Sequence, residues 1–103
     1  MKTKDRAKAL SLATESSLED LMGIVKKELG NPNALDEFIE YGDIYAKARP
    51  LSPILHVLAG NTPEAAIQSL TRGLLIGSHN QVKLPKEDIK EFDVFLNKLP
   101  SEL

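Results

Sequence analysis

Residues 61–99, NTPEAAIQSLTRGLLIGSHNQVKLPKEDIKEFDVFLNKL, decide how this chain reads. Thr62 before Pro63 is a helix start, because proline at the first helical position gives up no needed N–H. Glu64 then places an acid where the helix dipole favours one. Ala66, Ile67, Leu70, Leu74 and Gly77 share one face, widened by Leu75 and Ile76. The run Gly77-Ser78-His79-Asn80-Gln81-Val82-Lys83-Leu84-Pro85 breaks the pattern. Pro85 again sits in a first turn, followed by Glu87 and Asp88. Ile89, Phe92, Leu96 and Leu99 then face a core with Phe95 beside them, and Pro100 stops the helix. The spacing predicts a helical hairpin with its start, turn and stop written out.

The same rules extend upstream. Ala7, Leu10 and Ala13 suggest a helix over about Asp5–Thr14. Leu18, Leu21, Met22, Val25 and Leu29 form one stripe. Ser16 and Glu19 make a capping box, so this second helix should begin at Ser16 and end at Gly30. Asn31-Pro32-Asn33 is a turn. Asn33 then caps a third helix in which Leu35, Phe38, Ile39, Gly42, Tyr45 or Ala46, and Arg49 keep the helical period. Ser52-Pro53 reads as a further N-cap, opening a short helix to Leu58 or Ala59. No strand-like alternation is sustained. The expected fold is therefore all-α, an antiparallel four-helix bundle with a short extra helix around residues 52–59.

A chain of 103 residues suits a single domain, here residues 1–103. Between Pro50 and Val82 only Glu64 and Arg72 are charged, so this segment should sit centrally. A net charge of −2 leaves no basic excess to neutralise phosphates. With no cysteine, disulfides, thiolate metal sites and cysteine nucleophiles are excluded. Met1–Lys8 is charged rather than apolar, and no run approaches the ~20 apolar residues of a bilayer span. A cytoplasmic protein is expected.

Candidate chemistry is sparse. His56 and His79 lack the H-x-x-x-H spacing of a metal pair. Glu37, Glu40 and Asp43, with Asp36 alongside, read as a solvated acidic face rather than paired catalytic carboxylates. There is no G-x-S-x-G elbow, phosphate loop or dinucleotide fingerprint. These absences imply no enzyme, no cofactor and no metal. Leu58–Ala66 looks superficially like a DNA-binding helix-turn-helix, but Arg72 alone offers too few phosphate contacts. Lys2, Lys4, Arg6 and Lys8 read first as a frayed, solvated start, with contact to an anionic membrane surface as the second reading.

Asn61-Thr62-Pro63-Glu64, the apolar helix to Ile76, the Asn80–Leu84 connection and Pro85-Lys86-Glu87-Asp88 together resemble the pediocin-like (class IIa) bacteriocin immunity proteins. The resemblance is best over Asn61–Leu99 and only architectural over Lys4–Gly60. It implies a four-helix bundle that protects a bacterium from a membrane-permeabilising peptide. It also implies a partner: the membrane subunits of a mannose phosphotransferase permease with bound bacteriocin, met from the cytoplasmic side, with partial membrane association. The contact region maps to the last helix and its flanks, on Lys83, Lys86, Lys90, Asp93, Val94 and Asn97. The longer tail that often follows in that family is absent after Pro100-Ser101-Glu102-Leu103. Two alternatives stand beside it: a monomeric or dimeric helical adaptor that binds protein through a helix face, with Val94 as an apolar contact, and DNA binding through Gly60–Leu70.

Overall fold

The structure is a computed structural model and describes residues 1–57, 63–83, 90–100 and 103. Along the chain run α1 (Thr3–Ala13), α2 (Leu18–Leu29), β1 (Ile39–Tyr41), β2 (Ile44–Ala46), β3 (Ile54–Val57), α3 (Pro63–Leu75), β4 (Asn80–Lys83) and α4 (Lys90–Lys98). The protein is thus mixed α/β, not an all-α four-helix bundle. β1 and β2 form an antiparallel hairpin, while β3 and β4 form a parallel pair. A parallel pair needs a crossover connection, and α3 supplies it. β3–α3–β4 is therefore a βαβ unit.

The helices carry the core. α1 packs against α2, α3 and α4. Ala7, Leu10 and Ala13 meet Leu21 and Val25 of α2, Ala66, Leu70, Leu74 and Leu75 of α3, and Phe92 and Phe95 of α4 in one buried cluster. Burying each large member stabilises by roughly 1.5–3 kcal/mol. On α4 the predicted stripe is rotated: Phe95 is buried and Leu96 is exposed. Ile89 lies outside the described residues.

Helix ends are closed by chemistry that sequence spacing foretells only partly. Ser17, not Ser16, caps α2, its Oγ accepting from the Asp20 N–H at 3.0 Å. Gly30 ends that helix at φ 80°, the left-handed conformation glycine adopts freely. The N-terminus of α1 is closed from a distance: the Thr3 N–H and hydroxyl both donate to Asp36 Oδ1, at 3.0 and 2.9 Å. Arg6 reaches across to cap α3, its Nε donating to the Leu75 carbonyl at 2.8 Å. Burial pulls the Arg6 pKa below its ordinary value, and Asp36 acts in the opposite sense.

Two expected helices are strands. The expected helix from Asn33 to Arg49 stops after one turn, closed by the Asp36 and Glu37 N–H groups on the Asn33 carbonyl. Gly42, at φ 59°, and Asp43 then turn the hairpin, pairing Ile39 with Ala46, Glu40 with Tyr45 and Tyr41 with Ile44. Branched and aromatic side chains on both sides of a two-residue Gly-Asp turn favour this over a helix. The short helix expected around 52–59 is β3 over residues 54–57, and Leu58 and Ala59 lie outside the described residues. A helix of that length is hard to nucleate. The alternative gives each strand residue a partner in register, Ile54 with Asn80 through Val57 with Lys83.

Candidate functional site

α3 packs over one face of the β3–β4 pair, and that junction holds a hydrogen-bonded polar group that joins all three elements. His56 points inward from β3 and is 6% exposed. Its Nδ1 lies 2.7 Å from Ser69 Oγ on α3, and its Nε2 lies 2.8 Å from Asn80 Oδ1 on β4. The Asn80 amide is oriented by its own bond, Nδ2–H donating to the Ser78 carbonyl at 2.8 Å. Oδ1 is therefore the atom that faces the ring. Nε2–H then donates to Oδ1, and the Ser69 hydroxyl, which can donate or accept, bonds the other ring nitrogen.

Gly73 makes this approach of helix to sheet feasible. A Cβ there would stand 2.0 Å from Asn80 Oδ1 and 3.1 Å from His56 Nε2. No other residue fits without moving the clasp. The sequence singled out His56 only as a histidine without the spacing of a metal pair. It gave no sign of Ser69 or Asn80, which are distant along the chain and adjacent only once the βαβ unit closes.

Beside the clasp lies a cleft of about 430 Å³, walled by α2, α3, β3 and residues 48–51. Ile24, Val25 and Leu29 line it from α2, while Ser69, Arg72, Gly73 and Ile76 line it from α3 and its end. The spacing of the α3 set, i, i+3, i+4 and i+7, places them on one face. Leu35, Leu51 and Ile54 complete an apolar wall, with Glu28, Arg49 and Arg72 as its charged members.

Of the six residues expected to meet a partner, the five described ones fall elsewhere. Lys83 is exposed at the carboxyl end of β4. Lys90, Asp93, Val94 and Asn97 are exposed on α4, with Val94 at 52%. Lys86 lies outside the described residues. Asp36 caps α1, and Glu37, Glu40 and Asp43 are exposed. Among the described residues no group of three or more His, Asp or Glu side chains could hold a metal ion. The element before α3 is a strand, so the helix-turn-helix reading fails. Among the described residues no helix is long and apolar enough to cross a membrane.

Residues 2–101 match the family described as acyl-CoA reductase (LuxC). The chain is 36% identical over 80 residues to the long-chain acyl-protein thioester reductase of Aliivibrio fischeri. It is 35% identical to that of Photobacterium phosphoreum and 34% identical to that of Vibrio harveyi, again over 80 residues. In each case the match covers 78% of this chain and 16% of the relative. No solved structure matches the chain.

These matches overturn the bacteriocin-immunity resemblance, and with it the permease partner and the membrane association it implied. They equally displace the adaptor alternative and the expectation of a protein outside enzyme chemistry, since the relatives are reductases. The residues that carried the resemblance are helix starts and stops, which any helix of this kind selects. The family match instead runs almost from end to end, through both strands of the parallel pair. On that extent of agreement, this chain belongs to the acyl-CoA reductase (LuxC) family.

Proposed function

We propose that this chain performs, as one domain, part of the work of a long-chain acyl-thioester reductase, and that β3–α3–β4 is its ligand-handling unit. The observation that carries this is the parallel β3–β4 pair with its α3 crossover, lying within the matched residues. In open α/β sheets ligands bind at the carboxyl ends of the strands. Here those ends are Val57 and Lys83.

Reducing a thioester to an aldehyde takes two electrons and releases a thiol. Nicotinamide nucleotides are a common hydride source for such steps. The exposed Lys83, at the carboxyl end of β4, is the described residue best placed to meet a phosphate of such a donor. His56, held by Ser69 and Asn80, fixes β3, β4 and α3 in one register and so positions that edge. The outer face of α4, with Lys90, Asp93, Val94 and Asn97, together with Lys83 and Lys86, is kept as a protein-contact surface. A cytoplasmic location goes with this reading.

The test is an exchange of parts. The 80 matched residues of the Aliivibrio fischeri reductase are replaced by those of this chain. The expected product oxidises a reduced nicotinamide nucleotide in the presence of long-chain acyl-CoA, within about a hundredfold of the parent. A second exchange, limited to residues 54–83, covers the case in which the larger one does not fold. A folded but inert product of either exchange contradicts the reading.

A further inference from the structure

The clasp that ties α3 to the parallel pair also has the parts of a nucleophilic site. Ser69 is exposed on α3, while the His56 ring beside it is buried. Ser69 Oγ and His56 Nδ1 are 2.7 Å apart, and Asn80 Oδ1 holds the far ring nitrogen at 2.8 Å. In a neutral imidazole one nitrogen carries a proton and the other accepts. With Nε2–H directed at Asn80, the neutral ring turns its Nδ1 lone pair toward the Ser69 hydroxyl. A hydroxyl is a weak nucleophile until a base so placed takes its proton. Nucleophile, base and a group that orients the base are recognised by geometry and role, not by order along the chain. Ser69 also opens on the cleft, which it lines together with Arg72. Arg72 is three residues on along the same helix face, so its long side chain can meet an oxygen held at Ser69. Ile24, Leu29, Leu51 and Ile54 give the cleft an uncharged wall, which suits the apolar alcohol part of an ester.

We propose that Ser69 is a nucleophile activated by His56, and that its substrates are esters of small carboxylic acids with apolar alcohols. Ser69 Oγ bonds to the ester carbonyl carbon as its proton passes to His56 Nδ1. Arg72 meets the negative charge that develops on the carbonyl oxygen. The bond to the alcohol oxygen breaks, and the alcohol leaves with the proton from Nδ1. Water then adds to the serine ester and gives a proton to Nδ1. The acid departs as Ser69 Oγ takes that proton back. Asn80 is a positioning residue, which keeps the ring in the orientation that serves Ser69. No electrons are exchanged, so this activity is independent of the reductase reading.

The experiment treats the 103-residue chain with phenylmethanesulfonyl fluoride and, separately, with para-nitrophenyl acetate. Peptide mass mapping should find the sulfonyl group on Ser69, and the ester should be hydrolysed with repeated turnover. Ser69→Ala, a small change at an exposed position, should lose the label and lower kcat/KM about a hundredfold. His56→Gln should slow both labelling and hydrolysis about a hundredfold. Asn80→Ala should lower kcat about tenfold with KM unchanged, a split that loosened packing alone does not give. Should His56→Gln unfold, Asn80→Ala and the Ser69 label still decide the matter. A label on the exposed Ser16 or Ser17 in place of Ser69 overturns the proposal. So does a Ser69→Ala chain that hydrolyses the ester like the parent, or a folded His56→Gln chain that is labelled at the parent rate.

Discussion

Among the described residues two small sheets differ in what holds them. The β1–β2 hairpin is local: its strands are joined by Gly42-Asp43, and Ile44 and Tyr45 are exposed, as is the neighbouring Phe38. Its ties to the body are few, among them the Tyr41 hydroxyl donating to the Leu29 carbonyl at 2.9 Å and the Ala48 N–H donating to Ala34 at 2.8 Å. The β3–β4 pair joins residues 26 apart in sequence, Ile54 with Asn80, and is fastened through His56 to α3. Isolated two-stranded sheets are marginal in water. The parallel pair is stabilised by the helix on one face, although Leu55 and Val57 stay exposed on the other. The comparison separates a sheet made by its turn from a sheet made by tertiary packing. Only the second frames a site.

Gly73→Ala should have the largest effect. The added Cβ meets Asn80 Oδ1 at 2.0 Å, so α3 must lift from the sheet or the clasp must open. Destabilisation of about 3 kcal/mol is expected, read as a lowered urea midpoint. His56→Ala comes next. It removes the buried ring that ties α3 to both strands and leaves half-buried Asn80 without its partner, while exposed Ser69 turns to solvent, at a cost of about 2 kcal/mol in the same measurement. The clasp should register both changes, with little response in the hairpin.

Changes in the hairpin should be smaller. Gly42→Ala forces a side chain into φ 59° and should cost about 1 kcal/mol. Its effect should appear mainly as lost cross-strand contacts between Tyr41 and Ile44, seen by NMR. Tyr45→Thr removes an aromatic ring that is 70% exposed and should shift stability by less than about 0.5 kcal/mol. A hairpin change that costs as much as Gly73→Ala would show that the two sheets are equally integral.

The sequence made the helices legible because their signals are local. The stripes on α1 and α2, the Gly30 stop and the Pro63 start all lie within a few residues of the ends they mark. The β1–β2 hairpin was read as a helix, because the helical period of Leu35, Phe38, Ile39 and Arg49 masks the Gly42-Asp43 turn between β-favouring residues. β3 and β4 are another matter. Asn80-Gln81-Val82-Lys83 has no strong strand preference, and its pairing is set by Ile54–Val57 and the helix between them. The clasp shares this property: nothing near His56 in sequence points to Ser69 or Asn80. Function was misread for a related reason. Pro63, Gly77 and Pro85 mark helix boundaries in any fold, so they support a family resemblance without specifying one.

Native-state amide hydrogen exchange tests the central contrast most directly, because it reports the opening of each sheet separately. Amides bonded across β3–β4 should be protected to nearly the same degree as the buried core of α3. Those across β1–β2 should exchange much faster, and His56→Ala should erase the difference. Equal protection of the two sheets in the parent, or protection of β3–β4 that survives loss of His56, would contradict the account.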